Sequence, residues 1–236
     1  MHPSPTLAQV LKDRGVRSAV ATLGLIIYGL GMYLQMQAGI GLSPWNSLTL
    51  GLSRLTGTSF GAASIAISLA IVLLDLLLRE PIGIGTILDA LVVGWAMDFF
   101  LWGNWVATPS FFPWQLALMA AGLVVMCLGA YLYMKTGLSC GPRDALLVAL
   151  GKRLPRLSIG TINIILLAAV LVVSMLLGVA PGIGTAITIF GTGAVMDLVF
   201  KCLGFEPRSV GHEGLTQTWQ ALCRAREVSS PPAPHS

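Results

Sequence analysis

The length of its apolar runs constrains this chain more than any other feature. Six stretches, at about 18–38, 60–79, 84–103, 114–135, 159–179 and 183–203, carry almost no charge. A helix of about 20 apolar residues, rising about 1.5 Å per residue, crosses a bilayer core of roughly 30 Å. Lipid offers the backbone no hydrogen bonds, so each run must pair its own amides, and the short alternating strands of a barrel are missing. Composition agrees: of 236 residues, 55% are hydrophobic and only 10% charged, with a mean hydropathy of +0.82. A soluble domain needs more polar surface than that. The predicted fold is an all-α membrane protein with six transmembrane helices and the lipid bilayer as its main partner.

Charge sets the predicted orientation. Lys12, Arg14 and Arg17 precede the first run, which is too long for a signal peptide and is followed by no small-residue cleavage pattern. With that end inside, Arg79, Lys152, Arg153, Arg156 and Lys201 also fall on the cytoplasmic side, and Arg54 alone falls outside. This is the positive-inside bias, with both termini cytoplasmic. The net charge of +4 is therefore spread along loops and makes no nucleic-acid face. The expected organisation is a cytoplasmic segment 1–17, a membrane repeat 18–103, an external loop 104–113, a second membrane repeat 114–203 and a partly disordered cytoplasmic tail 204–236. Within that tail, 213–227 reads as a short amphipathic helix.

The chain is written twice. Gly31, Tyr33, Met36, Gly39, Pro44 and Leu48 recur as Gly129, Tyr131, Met134, Gly137, Pro142 and Leu146 at a constant offset. Ser59, Gly61 and Ile65 then match Ser158, Gly160 and Ile164; the tetrapeptide GIGT appears at 83–86 and 182–185; and Gly94, Met97 and Asp98 match Gly193, Met196 and Asp197. Each unit holds three spans, an odd number, so the two units are predicted to sit inverted across the membrane. Inverted three-helix repeats are characteristic of secondary transporters, and channels use them too.

Between the first and second span of each unit lies a shorter segment, 43–55 or 141–153. Each follows a glycine-rich break (GIGLS, GLSCG) and opens on Pro44 or Pro142, a residue suited to the first helical position. These segments are too short to span, so a re-entrant or interfacial half-helix is expected in each repeat. Half-helix N-termini attract anions, which makes Ser43 and Asn46 in one copy, and Arg143 and Asp144 in the other, candidate substrate-binding residues. The structural alternative is equally simple. Ser43 is an ordinary cap, Asp144 complements a helix dipole, and Arg143 marks the cytoplasmic surface.

Aspartates within spans are costly and face protein or water. Asp98 and Asp197 hold matched positions in a shared G-x-x-M-D pattern, and are the candidate coupling residues; a structural hydrogen bond to a helix N-terminus is the other reading. Asp75 is expected at the interface. Gly24, Gly29, Gly31, Gly122 and Gly129 read as close-packing surfaces, and Tyr33, Tyr131, Trp102, Trp105 and Trp114 as interfacial aromatics. All three histidines lie in the tails and the four cysteines share no metal or disulfide spacing. No metal, cofactor or catalytic residue is expected, and no enzyme.

At LGMYLQMQAGIGLSPWNSL and GIGTILDALVVGWAMD the chain resembles the YczE/YyaS/YitT group of bacterial membrane proteins, most of all its YczE branch. The likeness covers about residues 20–205. It implies a multi-pass protein of the bacterial inner membrane and carries no residue roles. Two functions follow as expectations: a secondary transporter of a small, possibly anionic, solute, or a non-transporting accessory protein that docks or regulates a partner through its cytoplasmic loop and tail.

Overall fold

The computed structural model describes residues 7–138, 141–157 and 159–206. The described residues form helices and no strand: α1 (Leu7–Gln37), α2 (Pro44–Thr56), α3 (Phe60–Leu77), α4 (Ile84–Gly103), α5 (Phe112–Met134), α6 (Pro142–Arg153), α7 (Ile159–Leu176) and α8 (Ile183–Cys202). The expected tail helix 213–227 lies outside the described residues.

Five helices, α1 over Leu11–Gln37 together with α3, α4, α5 and α8, are long and apolar enough to cross a membrane. Six were expected. The sixth candidate, α7 (Ile159–Leu176), matches α3 in length at 18 residues and is also apolar, with Gly160–Leu176 as its described apolar part. Gly178, at a φ of +81°, follows it as Arg79, at a φ of +58°, follows α3. Large side chains such as Leu77, Leu176 and Trp102 point outward and are 79–85% exposed, an apolar surface that suits lipid rather than water.

The core is a crossing of α1 and α5 at the glycines they share by repeat. A Cβ on Gly31 would lie 2.3 Å from the Met126 backbone nitrogen, and one on Gly129 would lie 2.4 Å from that of Tyr28. Such approach is possible only without a side chain, and it is how helices gain van der Waals contact in lipid. Gly29 meets Ala96 in the same way and brings α4 against α1.

Two expectations about single residues fail. Tyr33 is fully buried rather than interfacial: its ring stacks on Phe100 at 5.8 Å. The Tyr33 hydroxyl accepts from the Val106 N–H at 3.1 Å and from Gln37 Nε2 at 3.0 Å, tying the loop after α4 to the end of α1. Asp75 is also fully buried, and its two carboxylate oxygens have no hydrogen-bond partner among the described residues. Protein encloses it, since α2, α4 and α6 all pack on α3.

Helix pairing follows the internal repeat. α2 packs on α7 as α6 packs on α3, and α1 meets α4 as α5 meets α8. The two GIGT turns, matched in sequence, also cross over. The Gly184 N–H donates to the Ile40 carbonyl at 2.7 Å, and its repeat equivalent, the Gly85 N–H, donates to the Leu138 carbonyl at 3.1 Å. Each turn thus braces the break that precedes the other unit's short helix. The most extensive pairing without an equal twin is that of α3 along α4, whereas α7 and α8 scarcely touch among the described residues.

Candidate functional site

The short helices are started by their own residues. Ser43 Oγ accepts from the Asn46 N–H and Pro44 follows at the first helical position; Gly141 and Pro142 start α6 in the same register, with Asp144 in its first turn. A serine cap and an N-terminal proline each favour a helix start at that point. Their far ends are anchored. Gly51 packs on Leu177 at the end of α7, and Lys152 bonds Glu80 at 2.7 Å while Arg153 donates to the Leu78 carbonyl at 2.6 Å.

Both N-termini open on one cavity of about 420 Å³, to which every one of the eight helices contributes. A volume of this order suits a small ligand. The four residues singled out in the sequence, Ser43, Asn46, Arg143 and Asp144, all line it. Arg143 holds its guanidinium 5.1 Å from the centre of the Trp45 ring, a cation–π distance. These two hold equivalent positions of the sequence repeat. Asn46 is 97% buried, its side-chain oxygen without a partner among the described residues. A buried amide left unbonded costs about 1–3 kcal/mol, which is a reason to expect a bonding group from outside the chain.

A residue that the repeat comparison passed over, Asp89, also lines the cavity. It lies beside Gly141, where an added Cβ would come 2.9 Å from Asp89 Oδ2, and it shares electrostatic interactions with Arg143 and Asp144. Its repeat equivalent is the neutral Thr188, also a lining residue. The charged lining residues Asp89, Arg143 and Asp144 therefore lie on α4 and α6, while α2 and α8 contribute the uncharged Asn46 and Thr188.

Asp98 and Asp197 do not line this cavity. Asp98 caps α3, taking the Gly61 N–H at 2.6 Å and the Ser59 hydroxyl at 2.5 Å. The α3 and α4 backbones close on each other beside it: a Cβ on Gly61 would lie 2.2 Å from the Gly94 carbonyl oxygen. In the second repeat the matching surface is open. Asp197 and Gly160 are exposed, Ile164 is 60% exposed, and nothing lies within 4 Å of a Cβ on Gly193. Asp197 instead borders a shallow recess with Met196, Lys201 and Glu206.

Long apolar helices around a polar, partly charged cavity define a polytopic helical membrane protein. The chain belongs to a family of unknown function (DUF6198), whose model matches residues 15–201. It is 28% identical over 189 residues to an uncharacterized protein of Haemophilus influenzae, covering 80% of this chain and 85% of that one. Over 180 residues it is 29% identical to the uncharacterized protein YyaS of Bacillus subtilis, covering 75% and 88%. It is also 30% identical over 133 residues to the uncharacterized membrane protein YczE of Bacillus subtilis, covering 55% and 60%. No solved structure matches the chain. These relatives agree with the resemblance read from the two motifs, and with a place in the membrane.

Proposed function

We propose that this protein is a secondary transporter of a small solute in the bacterial inner membrane. It is built from two inverted repeats with α7 as the sixth span and both termini in the cytoplasm. The observation that carries the reading is the meeting of both short-helix N-termini, one from each repeat, at one polar cavity that contains the unpartnered Asn46 side-chain oxygen. The positive ends of the two helix dipoles and Arg143 favour a negatively charged group, and the apolar lining leaves room for an uncharged body.

The unequal pairing of α3–α4 and α7–α8 supplies a way to move the solute. In an inverted repeat the two halves exchange conformations between the outward- and inward-facing states. Here α3 is latched to α4 through Gly61, Gly94 and Asp98, and the equivalent surface on α7 and α8 is apart. In the alternate state the second pair closes, Gly193 receiving Ile164 as Gly94 receives Ile65, and the first pair opens. Asp98 and Asp197 then couple the two halves as latch residues, without touching solute.

Cysteine pairs introduced into a cysteine-free background test this in native membranes. A 65–94 pair should crosslink from the conformation described, and a 164–193 pair should crosslink from its mirror image. If 65–94 forms readily and 164–193 never does, the exchange does not occur and the transport reading fails.

A further inference from the structure

We propose that the cavity takes a small organic monoanion together with one proton, Arg143 binding the anion and Asp89 carrying the proton. This deepens the transport reading and rests on it. The charges nearest the site are Arg143, Asp144 and Asp89. With both acids ionised the side chains sum to −1, and the two helix N-termini add about +0.5 each, so the site is about neutral and holds no excess attraction for an anion. Protonating one acid raises the balance to about +1, matched to a single negative charge.

Of the two acids, Asp89 is the one placed to exchange its proton. Asp144 sits in the first turn of α6, where the helix dipole favours its ionised form. Asp89 stands on α4, lines the cavity and lies against Gly141 at the start of α6. Among the described residues, Arg143 and Asp144 face it from α6 and the Tyr28 phenol from α1, α5 adds the Tyr133 phenol to the cavity, and the α3 residues of the cavity are the uncharged Ser64 and Ser68. An ionised Asp89 competes with the solute for Arg143, and a proton on Asp89 removes the competitor. The cavity also holds the Asn46 side-chain oxygen, an acceptor with no partner among the described residues, and Met32, Val93, Leu147, Leu167 and Ile189 provide an apolar wall. An organic acid with an apolar body suits the arginine and the wall, and a hydroxyl such as that of lactate supplies the donor that the amide oxygen lacks; an inorganic anion would leave the wall unused.

The test is calorimetric titration of the purified full-length protein with benzoate and with lactate, in buffers of different ionisation enthalpy. The expected result is uptake of about one proton per anion, with affinity falling about tenfold for each pH unit on the alkaline side. Asp89→Asn should bind with no proton uptake and no pH slope, and Arg143→Gln should not bind. Should either variant fail to fold, the parent protein suffices: binding should raise the infrared band of a protonated carboxyl. Binding by the parent without proton uptake, or an Asp89→Asn variant that keeps the parent's slope, overturns the proposal. So does the absence of binding by either anion at acid pH. That last result would leave transport of another solute standing, since the 164–193 crosslink judges transport independently.

Discussion

Gly94 and Gly193 occupy the same place in the two repeats, and alanine at each should have opposite effects. At Gly94 a Cβ would sit 2.6 Å from Ile65 Cγ1 and 2.8 Å from the Gly61 carbonyl oxygen. Ile65 can turn its side chain, but Gly61 offers only backbone, so α3 and α4 must move apart. Overpacking of this kind costs about 1–3 kcal/mol, and replacing a helical glycine by alanine returns about 0.5–1 kcal/mol. The expected net loss is about 0–2.5 kcal/mol, centred on about 1 kcal/mol. At Gly193 nothing lies within 4 Å, so only the gain remains. Thermal unfolding of the two variants in one detergent, followed by size-exclusion chromatography, reads the difference. Gly94→Ala should unfold below the parent and Gly193→Ala at or above it. In flux assays Gly193→Ala should still be impaired, because it stabilises the open α7–α8 surface and obstructs its closure. Equal destabilisation by both variants would refute the reasoning, since it would mean that both surfaces are packed.

The acids should behave as their glycines do. Asp98→Ala removes the acceptor for Ser59 and Gly61 and should cost about 1.5–3 kcal/mol. Asp197→Ala, on an exposed position, should stay within about 0.5 kcal/mol of the parent; thermal unfolding in detergent checks both. Tyr33→Phe loses the hydroxyl that accepts from Val106 and Gln37, and should cost about 1 kcal/mol while making residues 104–111 more sensitive to protease added outside cells. Gly41→Ala places a side chain at a φ of +122° and 2.8 Å from the Gly182 Cα. Strain of about 1–2 kcal/mol adds to the overlap, so the variant should express poorly or melt early.

The local signals in the sequence were sound wherever one segment decides its own structure. Pro44 and Pro142 begin the short helices, Ser43 caps the first of them, and the glycines of α1 and α5 mark the close crossing. Ser43, Asn46, Arg143 and Asp144 converge because both breaks lie at equivalent positions of a repeat that was visible in the chain. What escaped depends on distant contacts. Asp75 looked interfacial by its distance from a helix end, but α2, α4 and α6 enclose it. Tyr33 looked like a belt aromatic because nothing nearby predicts that residues 104–106 fold back over it. Asp89 carries no repeat signal, because its equivalent in the other unit is Thr188. The GIGT turns were seen as a repeat marker, yet their role of bracing the opposite unit involves residues more than forty positions apart.

The central claim is that the short helices reach one cavity from opposite faces of the membrane. Single cysteines at Gly57, just beyond α2, and at Arg156, just beyond α6, report it directly, since both positions are exposed. With an impermeant thiol reagent, the account predicts labelling at 57 in intact spheroplasts and at 156 only after the membrane is opened or inverted. Labelling of both positions from the same face would contradict it.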